Sequence, residues 1–157
     1  MPKNYPSTAD LNKILTLYND KKYIKAEVLA HQVLKKFPDN LFCLKMLGII
    51  YGKINKMDES LKINKKIVSL FKNDPEAYNN LGISLKNLNQ TNEAITAFNN
   101  AINLKPDYAE AYYNLSNVLQ IINKTDEAFQ ANQRAIDLGM NDPEAYFQLG
   151  NKLCNLN

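Results

Sequence analysis

The sequence NDPEAYNNLG, at residues 73–82, returns almost unchanged as NDPEAYFQLG at residues 141–150. Half of the offset between the two copies also aligns the chain with itself. Several columns of like residues in one register do not arise by chance, so the chain is predicted to be an array of repeats of about 34 residues, a spacing that we call the repeat step. The columns are small residues at Gly48, Gly82, Ser116 and Gly150, leucines at Leu47, Leu81, Leu115 and Leu149, and asparagines at Asn55, Asn89 and Asn123.

Each repeat is predicted to contain two helices. In the third repeat the first helix is expected to start with Asp74 as its N-cap and Pro75 at its first helical position. Tyr78, Leu81 and Leu85 then recur at spacings of three and four residues, which is typical of one buried helical stripe.

The turn and the second helix of the repeat have their own signals. The asparagine column is expected to end each first helix, because asparagine tolerates the left-handed backbone that closes a helix. Thr91 is predicted to be the N-cap of the second helix, and Pro106 prevents that helix from continuing. Small residues at Gly82 and Ala94 predict that the two helices approach closely.

This pattern resembles the tetratricopeptide repeat, a helix-turn-helix unit of about 34 residues. The resemblance implies an all-α fold: a right-handed superhelical solenoid of antiparallel helix pairs, about four and a half repeats long, with the first helices on the concave side. In the third repeat it is carried by Tyr78, Leu81, Gly82, Leu85, Ala94, Phe98, Ala101 and Pro106. In the fourth repeat it is carried by Tyr112, Leu115, Ser116, Leu119, Ala128, Ala135 and Leu138.

The same register predicts the division of the chain. Asn64 and Asn132 stand where the family usually has a large aromatic residue. In the first repeat a turn one residue shorter is expected, so that Leu11, Ile14 and Tyr18 form the stripe of the first helix. The predicted parts are an N-terminal extension at 1–7 and an array at 8–157, with units at about 8–40, 41–74, 75–108 and 109–142 and a partial unit at 143–157.

The composition excludes several classes of function. The net charge of +3 is small and is not gathered in a basic stripe, which argues against a nucleic-acid partner. No stretch approaches the roughly 18 consecutive apolar residues of a membrane span, and MPKNYPSTAD lacks the apolar core of a secretory signal. A cytoplasmic location without membrane contact is therefore expected, and Cys43 and Cys154 are predicted to be reduced thiols.

Candidate binding residues follow from the implied concave side. Side chains on the first helices that point away from the buried stripe are expected to line a peptide-binding groove. The amides among them form columns at the repeat step, and a row of amides can both donate to and accept from the backbone of an extended peptide. The predicted groove residues are Lys45, Asn79, Asn80, Tyr113, Asn114, Asn117, Gln120, Phe147, Gln148 and Asn151.

These candidates have alternative interpretations that the sequence leaves open. The amide columns resemble the asparagine ladder of a glycosyltransferase with the same repeats, but exposed amides on a protein surface mostly bond water. Tyr113 and Phe147 are either apolar anchors for a partner or lateral packing between neighbouring first helices. A family clamp for a C-terminal carboxylate is not expected, because Ile49 and Glu76 stand where that clamp needs asparagine and lysine.

Catalysis has little support in the sequence. His31 is the single histidine, and no serine or cysteine is placed beside it by the sequence. Three of the five glycines belong to the small-residue column, so no phosphate-binding loop is expected. The chain is therefore predicted not to be an enzyme and to need no cofactor or metal.

Three functions remain open at this stage. The leading hypothesis is a protein-protein interaction module that binds a peptide or protein segment in the concave groove. The second is the N-terminal recognition arm of a larger glycosyltransferase or sulfotransferase-type enzyme. The third is a scaffold that self-associates through its terminal helices.

Overall fold

The computed structural model describes residues 5–154 of the protein, and the side chains of residues 5–150. The described residues form nine α-helices and no strand, so the predicted all-helical repeat fold is confirmed. The helices are α1 (Thr8–Asn19), α2 (Tyr23–Lys36), α3 (Leu41–Lys53), α4 (Met57–Leu70), α5 (Pro75–Asn87), α6 (Thr91–Leu104), α7 (Ala109–Ile121), α8 (Thr125–Asp137) and α9 (Pro143–Cys154).

The chain divides into two compact units after Lys72. In the first unit, α1 pairs with α2 and α3 pairs with α4, while α1 and α2 both pack against α3. In the second unit, α5 pairs with α6 and α7 with α8, α5 and α6 both contact α7, and α8 packs against α9. The division into five repeats remains a prediction. Each predicted repeat begins at the first residue of a helix, at α1, α3, α5, α7 and α9.

The turns inside the helix pairs share one backbone conformation. Asn55, Asn89 and Asn123 have φ angles of 60°, 58° and 59°, so the predicted left-handed stop is confirmed. Lys21, one repeat step before Asn55, has the same conformation with φ 59°. The expected shorter turn in the first repeat is therefore wrong, because α1 ends in the same register as the later first helices and lysine takes the place of asparagine.

The helix starts follow the predicted capping at two repeats. Asp74 Oδ1 accepts hydrogen bonds from the backbone N–H groups of Glu76 and Ala77 at 3.0 and 3.3 Å. Asp142 Oδ1 accepts one from Glu144 N–H at 2.9 Å in the same way. The prediction for Thr91 is wrong: Gln90 is the N-cap of α6, with no side-chain cap bond, and Thr91 is the first helical residue.

The close approach of paired helices depends on the small-residue column. A Cβ atom on Gly82 would lie 2.5 Å from Cε1 of Phe98, so only glycine fits against that ring. A Cβ atom on Gly48 would lie 2.7 Å from Oδ1 of Asn64. The α3–α4 and α5–α6 pairs therefore touch at this column.

The two asparagines in the aromatic position are part of the buried interior. Asn64 and Asn132 are 3% and 1% exposed. Asn132 Nδ2 donates a hydrogen bond to the backbone carbonyl of Ala145 at 2.6 Å, which ties α8 to α9. Its Oδ1 is buried without a hydrogen-bond partner.

Two other predictions concern thiols and membrane helices. Cys43 is a free, fully buried thiol, and burial raises its pKa to about 11, with a further contribution from Asp10. The side chain of Cys154 lies outside the described residues. Among the described helices, none is both long and apolar enough to cross a membrane.

Candidate functional site

The predicted groove residues of the second unit lie on its first helices, α5, α7 and α9. We call this surface the first-helix face and define it by Asn80, Asn117, Gln120, Phe147 and Gln148. Lys45 lies on α3 of the first unit and is half-buried. The side chain of Asn151 lies outside the described residues.

Asn79 and Asn114 lie beneath the first-helix face. They are only 1% and 8% exposed, and Asn114 Nδ2 donates a hydrogen bond to Asn79 Oδ1 at 3.1 Å. The sequence predicted that both side chains line the groove surface, whereas in the structure they are buried and their hydrogen bond joins α5 to α7. The sequence could not foresee this, because the repeat step aligns positions but does not say which of them a neighbouring helix covers.

A second amide pair joins α7 to α9 nearer the surface. Gln148 Nε2 donates to Asn117 Oδ1 at 3.1 Å, and the same nitrogen lies 3.5 Å from Glu144 Oε1. Asn117 and Gln148 are half-buried, while Gln120, one turn further along α7, is exposed. Neighbouring first helices are thus held by amide-to-amide bonds, and accessible amides remain beside them.

The two aromatic candidates differ in their surroundings. The Tyr113 hydroxyl donates a hydrogen bond to Asp142 Oδ1 at 3.3 Å, and it is half-buried. Burial raises the pKa of Tyr113, and Asp142 raises it further. Phe147 is 62% exposed. Of the two alternatives, lateral packing describes Tyr113, and an accessible apolar side chain describes Phe147.

The N-terminal ends of the three first helices carry negative charge. Glu76, Glu110 and Glu144 recur at the repeat step, and all three are exposed. Burial raises the pKa of Tyr108, and the nearby carboxylates of Glu110 and Glu76 raise it further. Glu144 was missed in the sequence, although the repeat step relates it to Glu76 and Glu110.

Among the described residues, no group of three or more histidine, cysteine or acidic residues could hold a metal ion. His31 is exposed, and its Nε2 lies 2.8 Å from the hydroxyl of Tyr51, a contact between α2 and α3. This histidine therefore has a packing partner of its own.

Paired helices, glycine contacts and polar first-helix surfaces define a helical repeat protein of the interaction-module class. Family models match the chain under the descriptions "TPR repeat" at residues 84–121 and "Tetratricopeptide repeat" at residues 64–96 and 109–138. The chain belongs to the tetratricopeptide repeat family, whose members generally act as non-catalytic interaction modules. No curated protein matches it in sequence.

Solved structures support the same assignment. The chain is 29% identical to a crystal structure of MamA protein, covering 91% of this chain and 78% of that one, with a TM-score of 0.80. A second MamA crystal structure is 30% identical, with coverage of 86% and 79% and a TM-score of 0.78. The first TPR of Spaghetti (RPAP3), bound to the HSP90 peptide SRMEEVD, is 25% identical, with coverage of 74% and 92% and a TM-score of 0.69. None of these matches favours the transferase arm or the self-associating scaffold.

Proposed function

We propose that the first-helix face binds an extended segment of a partner protein. The observation that carries this proposal is the presence of an exposed amide, Gln120, and an exposed phenylalanine, Phe147, on first helices that amide hydrogen bonds join to their neighbours. Gln120 offers hydrogen bonds to a peptide backbone, and Phe147 offers an apolar contact. The structural similarity to a repeat domain bound to a peptide supports this function.

The buried bonds below the face have a positioning role in this proposal. The Asn79–Asn114 and Asn117–Gln148 pairs hold α5, α7 and α9 in a fixed arrangement before any ligand arrives. A preorganised surface loses less conformational entropy when it binds. Asn79, Asn114 and Tyr113 therefore act through the helices that they join, rather than by touching the partner.

The size of the face sets the length of the segment. Packed helices usually lie about 8–10 Å apart, so three neighbouring first helices span about 20 Å. An extended chain advances about 3.3 Å per residue, and about six residues cross that distance. A short linear segment is therefore the expected ligand. We also propose that the chain has no enzymatic activity of its own and acts in the cytoplasm.

A peptide selection tests the proposal. Random peptides of about seven residues, slightly longer than the span of the face, would be selected for binding to the whole chain, and their affinities measured by fluorescence anisotropy. Replacing Gln120 or Phe147 with alanine should lower the affinity for the selected peptides by about tenfold. Each side chain is accessible, and each substitution removes one class of contact with the peptide. Asn100→Ala is the control, since Asn100 is also an exposed amide but lies on the second helix α6.

The location of binding provides an independent readout. Backbone amide shifts caused by the peptide should appear on α5, α7 and α9. Shifts confined to α6 and α8, or equal affinity for the Gln120→Ala, Phe147→Ala and Asn100→Ala variants, would contradict the assignment.

A further inference from the structure

The first unit carries a separate apolar groove along its first helix pair. We call it the α1–α2 groove; its volume is about 460 Å³. Ile24 and Val28 on α2 are 60% and 52% exposed along it, although both are apolar. The groove is lined by Lys13, Leu17, Ile24, Lys25, Val28, Leu29 and Gln32.

Comparison between the repeats shows that these apolar residues are particular to the first unit. At successive repeat steps the later second helices α4, α6 and α8 have polar side chains in their place. Folding of the repeat therefore does not require isoleucine or valine at these positions. The residues equivalent to Ile24 are Asp58, Asn92 and Asp126, and those equivalent to Val28 are Lys62, Thr96 and Gln130.

Lys25 departs from the repeats in charge. It lies in the first turn of α2, a turn that contains no acidic residue. A positive charge near a helix N-terminus opposes the helix dipole, so lysine is unfavourable there for the helix alone. Residues that break a local rule in this way are often placed for function. The three equivalent residues are all glutamate: Glu59, Glu93 and Glu127.

The α1 side of the groove occupies positions that are covered in the later repeats. The common turn geometry places Leu17 in register with Tyr51, Leu85 and Leu119, which are only 4–6% exposed. Leu17 is instead partly exposed. Lys13 stands in the register of Leu47 and its leucine column. The surface thus has the form that packs against a helix elsewhere in the chain, but with a lysine in place of a leucine.

We propose that the α1–α2 groove binds an amphipathic helix of a partner protein whose apolar stripe is flanked by acidic residues. Apolar side chains of that helix cover Leu17, Ile24 and Val28. Its carboxylates lie opposite Lys13 and Lys25, where no acidic residue lines the groove among the described residues. Glu27 of α2 is held elsewhere, since Lys56 Nζ lies 2.8 Å from its Oε1.

The dimensions of the groove agree with a short helix. The α1 and α2 helices contain 12 and 14 residues, so at about 1.5 Å per residue they are roughly 20 Å long. A partner helix of about four turns matches this length. Lys13 at a leucine position favours an acidic partner over another copy of the same repeat, because the leucine and tyrosine stripe of such a copy would give the lysine no opposite charge.

The test uses a pair of synthetic helical peptides and the whole chain. Both peptides have about four turns and leucines at spacings of three and four; one has glutamate on both flanks and the other has lysine. The glutamate peptide should bind at least about tenfold tighter than the lysine peptide, with the difference shrinking at high salt. Its amide shifts should fall on α1 and α2.

A triple variant isolates the groove without threatening the fold. Ile24→Asn, Lys25→Glu and Val28→Thr together give α2 the residues that α6 has at the same positions, Asn92, Glu93 and Thr96. This variant should fold at least as well as the wild type and lose binding by about tenfold or more. The controls are Lys62→Glu, the same charge change on α4, and Ile121→Asn, which replaces an isoleucine that is 63% exposed on α7.

Three outcomes would overturn the proposal. Equal binding of the two peptides would remove the charge argument, and peptide shifts on α5, α7 and α9 would move the site to the first-helix face. Concentration-dependent dimers of the wild type that the triple variant abolishes, with no peptide binding, would assign the groove to a second copy. Each outcome is distinct from failure of the first-helix face, because the two tests use different peptides and substitute different residues of the chain.

Discussion

At the scale of single residues, the contact between paired helices is made by complementary sizes. Where α5 has Gly82, α6 has Phe98 against it, and the ring leaves no room for a Cβ. In the first repeat the sizes are exchanged, with Ile14 in the glycine column and Ala30 in the aromatic position, both fully buried. This exchange explains why Ile14 was correctly predicted to be buried although the turn was not shorter. The four pairs are Ile14 and Ala30, Gly48 and Asn64, Gly82 and Phe98, and Ser116 and Asn132.

Gly82→Ala should lower the free energy of unfolding by about 1–2 kcal/mol, because crowding against Phe98 outweighs the gain in helix propensity. Gly52→Ala is the matched control in α3, where an added Cβ would meet no atom within 4 Å. That variant should be neutral or more stable by up to about 1 kcal/mol. Urea denaturation measures both, and a stabilised Gly82→Ala would contradict the close approach.

Cys43 gives a prediction for the pH dependence of stability. Burial raises the thiol pKa in the folded chain to about 11 from the ordinary value of 9.0. Since the folded pKa is higher, the unfolded thiol loses its proton first, and stability falls as the pH rises from about 9 to 11. Cys43→Ala lacks this loss, so its free energy of unfolding should fall less over that range. Parallel curves for the two proteins would show that the thiol does not titrate differently on folding.

At the scale of helices, the amide bonds between first helices separate surface from support. The Asn79 and Asn114 side chains are buried between α5 and α7 and are bonded to each other. The Gln120 amide on the same helix α7 is exposed. Substitution of a buried amide should therefore change stability, whereas substitution of an exposed amide on the same helix should change binding.

Asn114→Ala should destabilise the chain by about 1–3 kcal/mol, because it leaves the buried oxygen of Asn79 without its donor. Gln120→Ala on the same helix should change stability by less than about 0.5 kcal/mol. Thermal or urea unfolding compares the two variants. Equal, small effects would mean that the Asn79–Asn114 bond contributes nothing that water cannot replace.

Helix positions were largely predictable from the sequence, and details of their surfaces were not. Asp74, Pro75 and the asparagine column are local signals, because a cap or a left-handed residue acts on its own neighbours. Lys21 was missed since lysine rarely adopts this conformation, and the repeat register overrode that preference. Burial of Asn79 was missed because it depends on α7, which belongs to the next repeat along the chain.

At the scale of the whole molecule, the two proposed surfaces belong to different compact units. The α1–α2 groove is lined by residues 13–32, and the first-helix face by residues of α5, α7 and α9. Their chemistry also differs, since one is apolar with lysines and the other combines amides with a phenylalanine and acidic helix ends. The two proposals together predict that the chain binds two unlike partners.

The glutamate-flanked helix and a selected extended peptide should therefore bind at the same time. A saturating amount of either peptide should change the affinity for the other by less than about twofold, because no lining residue is shared. Two fluorophores of different colour, one on each peptide, allow both affinities to be measured in one titration. Displacement of one peptide by the other would place both on a single surface.

The shared left-handed residue of the turns has a consequence for how such a chain can change. Lys21, Asn55, Asn89 and Asn123 reverse the backbone in the same way, whatever side chain they carry. A helix pair can therefore be copied, deleted or exchanged as a unit without altering the connection inside it. The outer residues of α2 illustrate this independence: they differ from their equivalents in α4, α6 and α8, while the turn before α2 has the same conformation as the later turns.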